Sequence, residues 1–426
     1  MDILIKEARL WGQDSAVDIA IENGTVEEVA SHITGTADSI IEASGRLALP
    51  AFFDMHVHLD NCFLMGKHNI SGSLWESIQI RNELQKNRSY EDIMKRARKA
   101  AQWMVVQGTT TARVQSAVTT GDPEMKSVEA MLNLRAEMKD ILDIRITAFP
   151  QDGVLTQREN LSLLEEAAKM GVDNIGLIPH NEYTREDGVE SVHEVFKLAK
   201  KYNKDIDAHI DETDDEQSRF LEVLAADTIR FDMSGRVAAG HATAMHSYNG
   251  AYTYKLFGLL KKAGVVVVSN PLINVTLQGR FDAYPKRRGL TRIKELLDYG
   301  INVSLGSDDL MNPFYPFGRG DMLQSLFMVV HLAQLTSRDD LMGSLDMITS
   351  NPARALCFER YGIAPGNAAD LIIMDSDSEV DTIRDQPPRL FVIRNGVIIA
   401  RSAARMSTLI RDGREEEVSF GRGQLI

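Results

Sequence analysis

From residue 51 onwards the chain alternates short apolar runs with longer amphipathic segments, and this alternation constrains the fold more than any single motif. Strands are expected at residues 51–59, 109–118, 143–149, 174–178, 205–210, 237–241, 265–269 and 302–306. Helices are expected at 90–106, 124–138, 160–169, 189–201, 215–224, 251–262, 291–299 and 322–335. Apolar runs of strand length bounded by turn signals suit a parallel sheet whose two faces are both covered. Eight such units over roughly 300 residues predict an α/β fold of the (β/α)8 TIM-barrel type. An open doubly wound sheet is the alternative, but no Gly-rich dinucleotide turn follows the first strand, and no phosphate loop ending in Gly-Lys-Ser/Thr occurs.

The two ends of the chain read differently. Residues 3–5, 16–21 and 25–29 are short strand candidates, the last two joined by the turn Asn23-Gly24. Residues 369–374 and 390–399 repeat the pattern, with a second Asn-Gly turn at Asn395-Gly396. Neither set can hide its own apolar face, so the two are expected to combine into one small β-sandwich domain built from residues 1–50 and 360–426. The barrel, as the catalytic domain, then occupies 51–359.

Charge narrows the range of partners. Lysine and arginine number 47 against 61 acidic residues, a net charge of -14, which disfavours a phosphate-backbone partner. The compact basic run Lys286-Arg287-Arg288 is read as a solvated loop. Cys62 and Cys357 lie far apart and are read as small packed side chains. No basic region followed by an apolar signal core opens the sequence, and no apolar run is long enough to span a bilayer. A cytoplasmic location without membrane contact is the expectation.

In a barrel of this kind the active site stands at the carboxyl ends of the strands. The run at residues 47–59 reads as one buried strand, and His56 and His58, two apart, share one of its faces. An isolated His-x-His pair is more often packed in a core than bound to a metal. Here, however, Pro150-Gln151, His209 with Asp211-Glu212, His241, and Asp308-Asp309 stand at four other strand ends, a convergence that core packing does not explain. Imidazole nitrogen and carboxylate oxygen suit one divalent ion, zinc or iron, with His56, His58, His209 and Asp308 as ligands. Such an ion lowers the pKa of a water it binds from about 15.7 towards 7. Glu212 is placed to exchange protons with a substrate, and His241 and Asp308 to accept the proton of the attacking water. His32, His68, His193 and His331 carry no partner signature, whereas His180 and His246 follow strand ends and are weaker pocket candidates. In the acidic run 211–216 only Glu212 gains a functional reading.

These residues resemble those of the amidohydrolase superfamily and, within it, the bacterial cytosine deaminases. The resemblance is carried by His56-Val57-His58-Leu59-Asp60, Phe149-Pro150-Gln151-Asp152-Gly153, Ile178-Pro179-His180 and His209-Ile210-Asp211-Glu212. It continues through Gly240-His241-Ala242-Thr243, Leu277-Gln278-Gly279-Arg280-Phe281-Asp282, Tyr284-Pro285-Lys286-Arg287-Arg288-Gly289 and Ser307-Asp308-Asp309. It implies a single iron or zinc ion on His56, His58, His209 and Asp308, in agreement with the reading from residue types. It also implies that Gln151 and Asp309 hydrogen-bond a pyrimidine ring and that Leu74 offers backbone contacts. An amide such as Gln151 both donates and accepts, as a ring edge alternating C=O and N-H requires. By the same resemblance Glu212 protonates a ring nitrogen, ammonia leaves a tetrahedral intermediate, and the protein is a homo-oligomer.

The chain departs from that pattern at several places. Val114-Gln115-Ser116-Ala117 replaces an expected Thr-His-x-Asp, Ser307 an expected histidine, Phe314 a tryptophan, and Asn61-Cys62 two threonines. None removes a ligand or Glu212. The expected activity is hydrolytic deamination of cytosine or a related amino-pyrimidine, a small heterocyclic amine. Alternatives are isocytosine, creatinine-like or aminotriazine rings, alkylamine removal or cyclic-amide opening by the same chemistry, and a non-catalytic interaction protein on the same fold. The zinc-deaminase string His-x-Glu with Pro-Cys-x-x-Cys does not occur.

Overall fold

The computed structural model describes residues 1–64, 69–85, 88–157 and 159–418. Eight parallel strands form the central sheet in chain order: β6 (Phe52–Val57), β7 (Thr109–Val118), β8 (Asp143–Pro150), β9 (Asn174–Leu177), β10 (Asp205–Ile210), β11 (Val237–His241), β12 (Val266–Ser269) and β13 (Val303–Leu305). Five strands precede them, β1 (Ile3–Leu10), β2 (Ala16–Glu22), β3 (Thr25–Ala30), β4 (Ser39–Glu42) and β5 (Leu47–Pro50). The first and last barrel strands meet at Val57 and Asp308, where the Asp308 amide donates to the His56 carbonyl and the His58 amide to the Asp308 carbonyl, both at 2.8 Å. Every residue of β7 is buried, as expected of a strand with the barrel interior on one side and helices on the other.

The helices outside the strands are α1 (Leu74–Gln85), α2 (Tyr90–Val106), α3 (Lys126–Met138), α4 (Glu159–Met170), α5 (Arg185–Tyr202), α6 (Phe220–Arg230), α7 (Gly250–Ala263), α8 (Pro271–Leu277), α9 (Ile293–Asp298) and α10 (Met322–Leu332), followed by shorter ones. Their starts follow capping chemistry: Ser89, Thr184 and Asn249 accept from Asp92, Asp187 and Tyr252 amides at the starts of α2, α5 and α7. Left-handed Asn203 and Gly264 end α5 and α7. Among the described residues, no helix is long and apolar enough to cross a membrane.

Strands from both ends build the second sheet. Late strands β14 (Leu371–Met374), β15 (Arg389–Arg394) and β16 (Val397–Arg401) join β1 to β5 in the order β16-β15-β14-β5-β1-β2-β3, with β4 beside β1. Its apolar face packs Ile3, Ile5, Ile19, Ile21, Leu371, Ile373 and Ile393 into one cluster. Both Asn-Gly turns have positive φ at both residues, 48° and 75° at Asn23-Gly24 and 46° and 73° at Asn395-Gly396, the geometry that matches strand twist in a two-residue hairpin. The two turns also pack on each other, since a Cβ on Gly396 would lie 2.9 Å from the Gly24 Cα. A separate exposed hairpin, β17 (Ser407–Arg411) with β18 (Arg414–Val418), follows.

Two expected spans are corrected. Residues 47–59 do not form one strand: β5 lies in the terminal sheet and β6 in the barrel. Ala51 alone separates them, its amide donating to Asp370 while the Phe52 amide donates to Gly108. A uniformly apolar run carries no signal for a change of sheet. The helix expected at 215–224 begins only at Phe220, because the buried Asp211 carboxylate takes the Phe220 and Leu221 amides at 3.0 and 2.9 Å and fixes the start there.

Candidate active site

The carboxyl ends of β6, β10 and β13 bring His56, His58, His209 and Asp308 together. His209 Nε2 lies 3.2 Å from Nε2 of both His56 and His58. Asp308 Oδ1 is 3.4 Å from His58 Nε2 and 4.0 Å from His56 Nε2, and its Oδ2 is 3.7 Å from His241 Nε2. All five side chains are buried. Phe149 on β8 stacks on the His209 ring at 3.8 Å between centroids and meets His58 edge-on, so packing sets the orientation of both imidazoles.

Burial holds the imidazoles in their neutral form, driving His56 and His209 well below the ordinary histidine value and His58 to about 4. Burial, with Asp309 and Glu212 nearby, pushes Asp308 the other way. The neutral His209 ring therefore turns one nitrogen at hydrogen-bond distance towards two other neutral imidazole nitrogens. One proton on His209 Nε2 can bridge to only one of the other two. Asp308 Oδ2 and the Nδ1 atoms of His58 and His209 have no hydrogen-bond partner among the described residues. A divalent cation resolves this conflict by taking the lone pairs that otherwise oppose each other, and the cluster can hold a metal ion.

The chain supports this cluster from below and from the side. Gln115 Nε2 on β7 sits 3.3 Å from His56 Nδ1 and donates to Asp207 Oδ2 at 2.5 Å, where Thr147 Oγ1 also donates at 3.1 Å. Ser307 bonds the buried Asp54 carboxylate twice, through its amide to Oδ1 at 3.0 Å and through its hydroxyl to Oδ2. Two of the departures from the family pattern thus hold the strands that carry His56 and Asp308.

Glu212 follows β10 and lies against His241 at the end of β11, with 3.1 Å between Oε1 and Nδ1. Asn274 Nδ2 on α8 reaches both, at 3.4 Å from Glu212 Oε1 and 2.9 Å from His241 Nδ1. Asn270 Nδ2 lies 3.2 Å from His241 Nε2. Burial raises the Glu212 carboxyl, but the charge and hydrogen bond of His241 outweigh it and hold the group below the ordinary carboxylate value. Asn270 and Asn274 went unassigned in the sequence. The available signal was Ser269-Asn270-Pro271, a polar strand end running into a proline-started helix.

A cavity of about 860 Å³ opens over these groups, lined among others by His58, His209, Glu212, His241, Asp308, Gln151, Asp309, Leu74, Asn61, His180 and Phe314. Gln151 and Leu74 come from the end of β8 and the first residue of α1. Asp309 is buried and accepts from Asn312 Nδ2 through Oδ1. Of the two weaker histidine candidates, His180 lines the cavity and His246 does not. His193 pairs with Asp227, His331 bonds the Phe327 carbonyl, and His32 lies at the surface 3.5 Å from Asp18; His68 falls outside the described residues. Cys62 is buried, donates to the Leu59 carbonyl and is absent from the cavity lining.

A closed parallel barrel with three histidines and an aspartate at its strand ends, beside the half-buried Glu212 carboxylate, defines a metal-binding barrel hydrolase. The amidohydrolase family model matches residues 80–414, and the chain belongs to that family. It is 32% identical to the N-isopropylammelide isopropyl amidohydrolase of a Pseudomonas species, over 94% of this chain and 97% of that protein. It is 27% identical to the pterin deaminase of Rhizobium rhizogenes, over 90% and 88% of the two chains. Among solved structures, 5-methylcytosine deaminase from Klebsiella pneumoniae liganded with phosphonocytosine superposes with a TM-score of 0.90 at 38% identity, covering 95% of this chain and 99% of that one.

Proposed function

We propose that this protein is a metal-dependent hydrolytic deaminase of cytosine or a closely related amino-pyrimidine, exchanging a ring amino group for an oxo group and releasing ammonia. The observation that carries this reading is the contact of Glu212 with His241, 3.1 Å apart at the edge of the ligand cluster. Two titratable groups in contact at the cavity wall support the reading of one as proton carrier and the other as proton acceptor.

In this reading His56, His58, His209 and Asp308 hold one divalent ion, zinc or iron. When bound, that ion supplies Lewis-acid activation of water. His241 and Asp308 accept the proton that water loses as it adds to the amino-bearing carbon. The Glu212 carboxylate takes up this proton through its contact with His241 and gives it to the ring nitrogen, and the second proton of the water passes through His241 and Asp308 to the amino group as the C–N bond breaks, so that ammonia leaves and the ring carbon keeps the oxygen. Asn274 keeps Glu212 and His241 in register through one amide group. Gln151 and Asp309 orient the ring by hydrogen bonds, and the Leu74 backbone closes its side.

The similarity to 5-methylcytosine deaminase supports an amino-pyrimidine substrate. The relative that acts on N-isopropylammelide favours a second reading, release of an amine from a triazine ring by the same proton transfers. Ammonia and amine release by the purified, metal-loaded protein, measured across cytosine, 5-methylcytosine, isocytosine, creatinine and aminotriazines, decides between them. Turnover of the cytosines supports the first reading, alkylamine release the second, and no release from any of them overturns both.

A further inference from the structure

We infer that Asn61 reads an exocyclic oxygen of the substrate, donating its side-chain N–H to a ring oxo group and discriminating against rings that carry an amino group at that place. The inference rests on the heterocycle-deaminase reading above and narrows its substrate class to amino-oxo heterocycles.

The orientation of the Asn61 amide is fixed by its neighbour. Arg88 Nη1 donates to Asn61 Oδ1 at 2.8 Å. A guanidinium has donors and no acceptor, so the atom facing it is the amide oxygen and the other end is the NH2 group. Among the described residues that NH2 group has no hydrogen-bond partner. Asn61 is only 3% exposed, yet it lines the cavity, three residues after His58, whose carbonyl accepts from the Asn61 amide at 3.2 Å. An unpaired donor at the cavity wall, on a residue otherwise packed away from solvent, offers its N–H to an acceptor supplied by the ligand.

The turn that carries Asn61 is held from outside. Arg88 also donates to the Asp60 carbonyl, and Arg96 Nη1 donates to the Asp60 and Cys62 carbonyls at 3.1 and 2.7 Å. Rotating the amide to offer its oxygen to the ligand would set NH2 against the guanidinium, donor against donor. The position is therefore locked as a donor. A carbonyl oxygen satisfies it, whereas an amino group leaves two buried donors opposed.

The test compares cytosine with 2,4-diaminopyrimidine, which carries an amino group in place of the oxo group and an unprotonated N1 in place of N1–H; the change in the ratio between wild type and variants isolates the part due to Asn61. Affinity is measured by calorimetry and turnover by ammonia release, on the metal-loaded protein. The wild-type protein is expected to bind cytosine at least about tenfold more tightly. Asn61→Asp keeps the size and the Arg88 contact but replaces the donor by an acceptor, and is expected to shift the ratio at least about tenfold towards the diamino compound. Asn61→Ala is expected to bring the two affinities within a few fold of each other. Equal wild-type affinities, no wild-type affinity for cytosine, or an unchanged ratio in both variants overturns the inference. Selective binding without ammonia release overturns the deaminase reading and upholds the role of Asn61.

Discussion

The amide of Asp308 donates to the carbonyl of His56 at 2.8 Å, so the first and last barrel strands are joined by main chain at the point where their candidate ligands stand. Asp308 adopts φ of +63°, a left-handed conformation that costs a non-glycine residue of order 1 kcal/mol or more. The bond to His56, and the one Asp308 accepts from His58, compensate for it. Barrel closure and ligand geometry are thus a single arrangement.

Replacing Glu212 by glutamine keeps the shape and the contact with Asn274 but removes the proton carrier. Turnover is expected to fall by about 10²–10⁴-fold while the metal content, read by elemental analysis, stays at the wild-type level. Near-normal turnover would show that another group carries the proton.

His209→Ala removes the nitrogen that faces both of the other imidazoles. The variant is expected to lose most of its metal during purification, and chelator treatment of the wild type to abolish turnover reversibly on addition of zinc or ferrous iron. A variant that keeps one metal per chain would place the ion elsewhere.

Ser307→Ala takes one donor from a carboxylate that is fully buried and whose pKa burial raises to about 6. A loss of about 1–3 kcal/mol in unfolding free energy is expected, measured by urea denaturation. An unchanged midpoint would mean that water replaces the hydroxyl there.

Cys62 is buried, and burial pushes its thiol up to about 12, so the reactive thiolate is scarce below that pH. Cys357 is exposed. Alkylation at pH 8 followed by peptide mass spectrometry is expected to modify Cys357 alone in the native protein and both cysteines after denaturation. Native labelling of Cys62 would show that the turn after His58 opens.

The barrel strands were legible because their apolar runs and polar ends coincide; β7 at Thr109–Val118, β10 at Asp205–Ile210 and β11 at Val237–His241 fall where the sequence pattern ends them. The convergence of His56, His58, His209, His241 and Asp308 followed from the same register. Other features depend on contacts that no local pattern encodes. The crossing at Ala51 is set by partners at Asp370 and Gly108. The late start of α6 is set by Asp211, which lies in an acidic run that reads as solvated but is itself buried. The placement of Asn274 between Glu212 and His241 requires α8, a helix too short to show a periodic face. Gln115 and Ser307 looked like simple departures from a family pattern, and only the fold shows what they bond.

The passage between the two sheets has a mechanical consequence. A single residue, Ala51, spans at most about 3.6 Å of extended chain, which leaves almost no slack to absorb relative displacement. The terminal sheet and the barrel are therefore tied closely together at this point. A shift of β5 is transmitted as strain along Phe52–Val57 to His56 within a few residues. Strands contributed by the far end of the chain, through the pairing of Leu371 with Pro50, serve as ballast for the metal-facing end of the barrel.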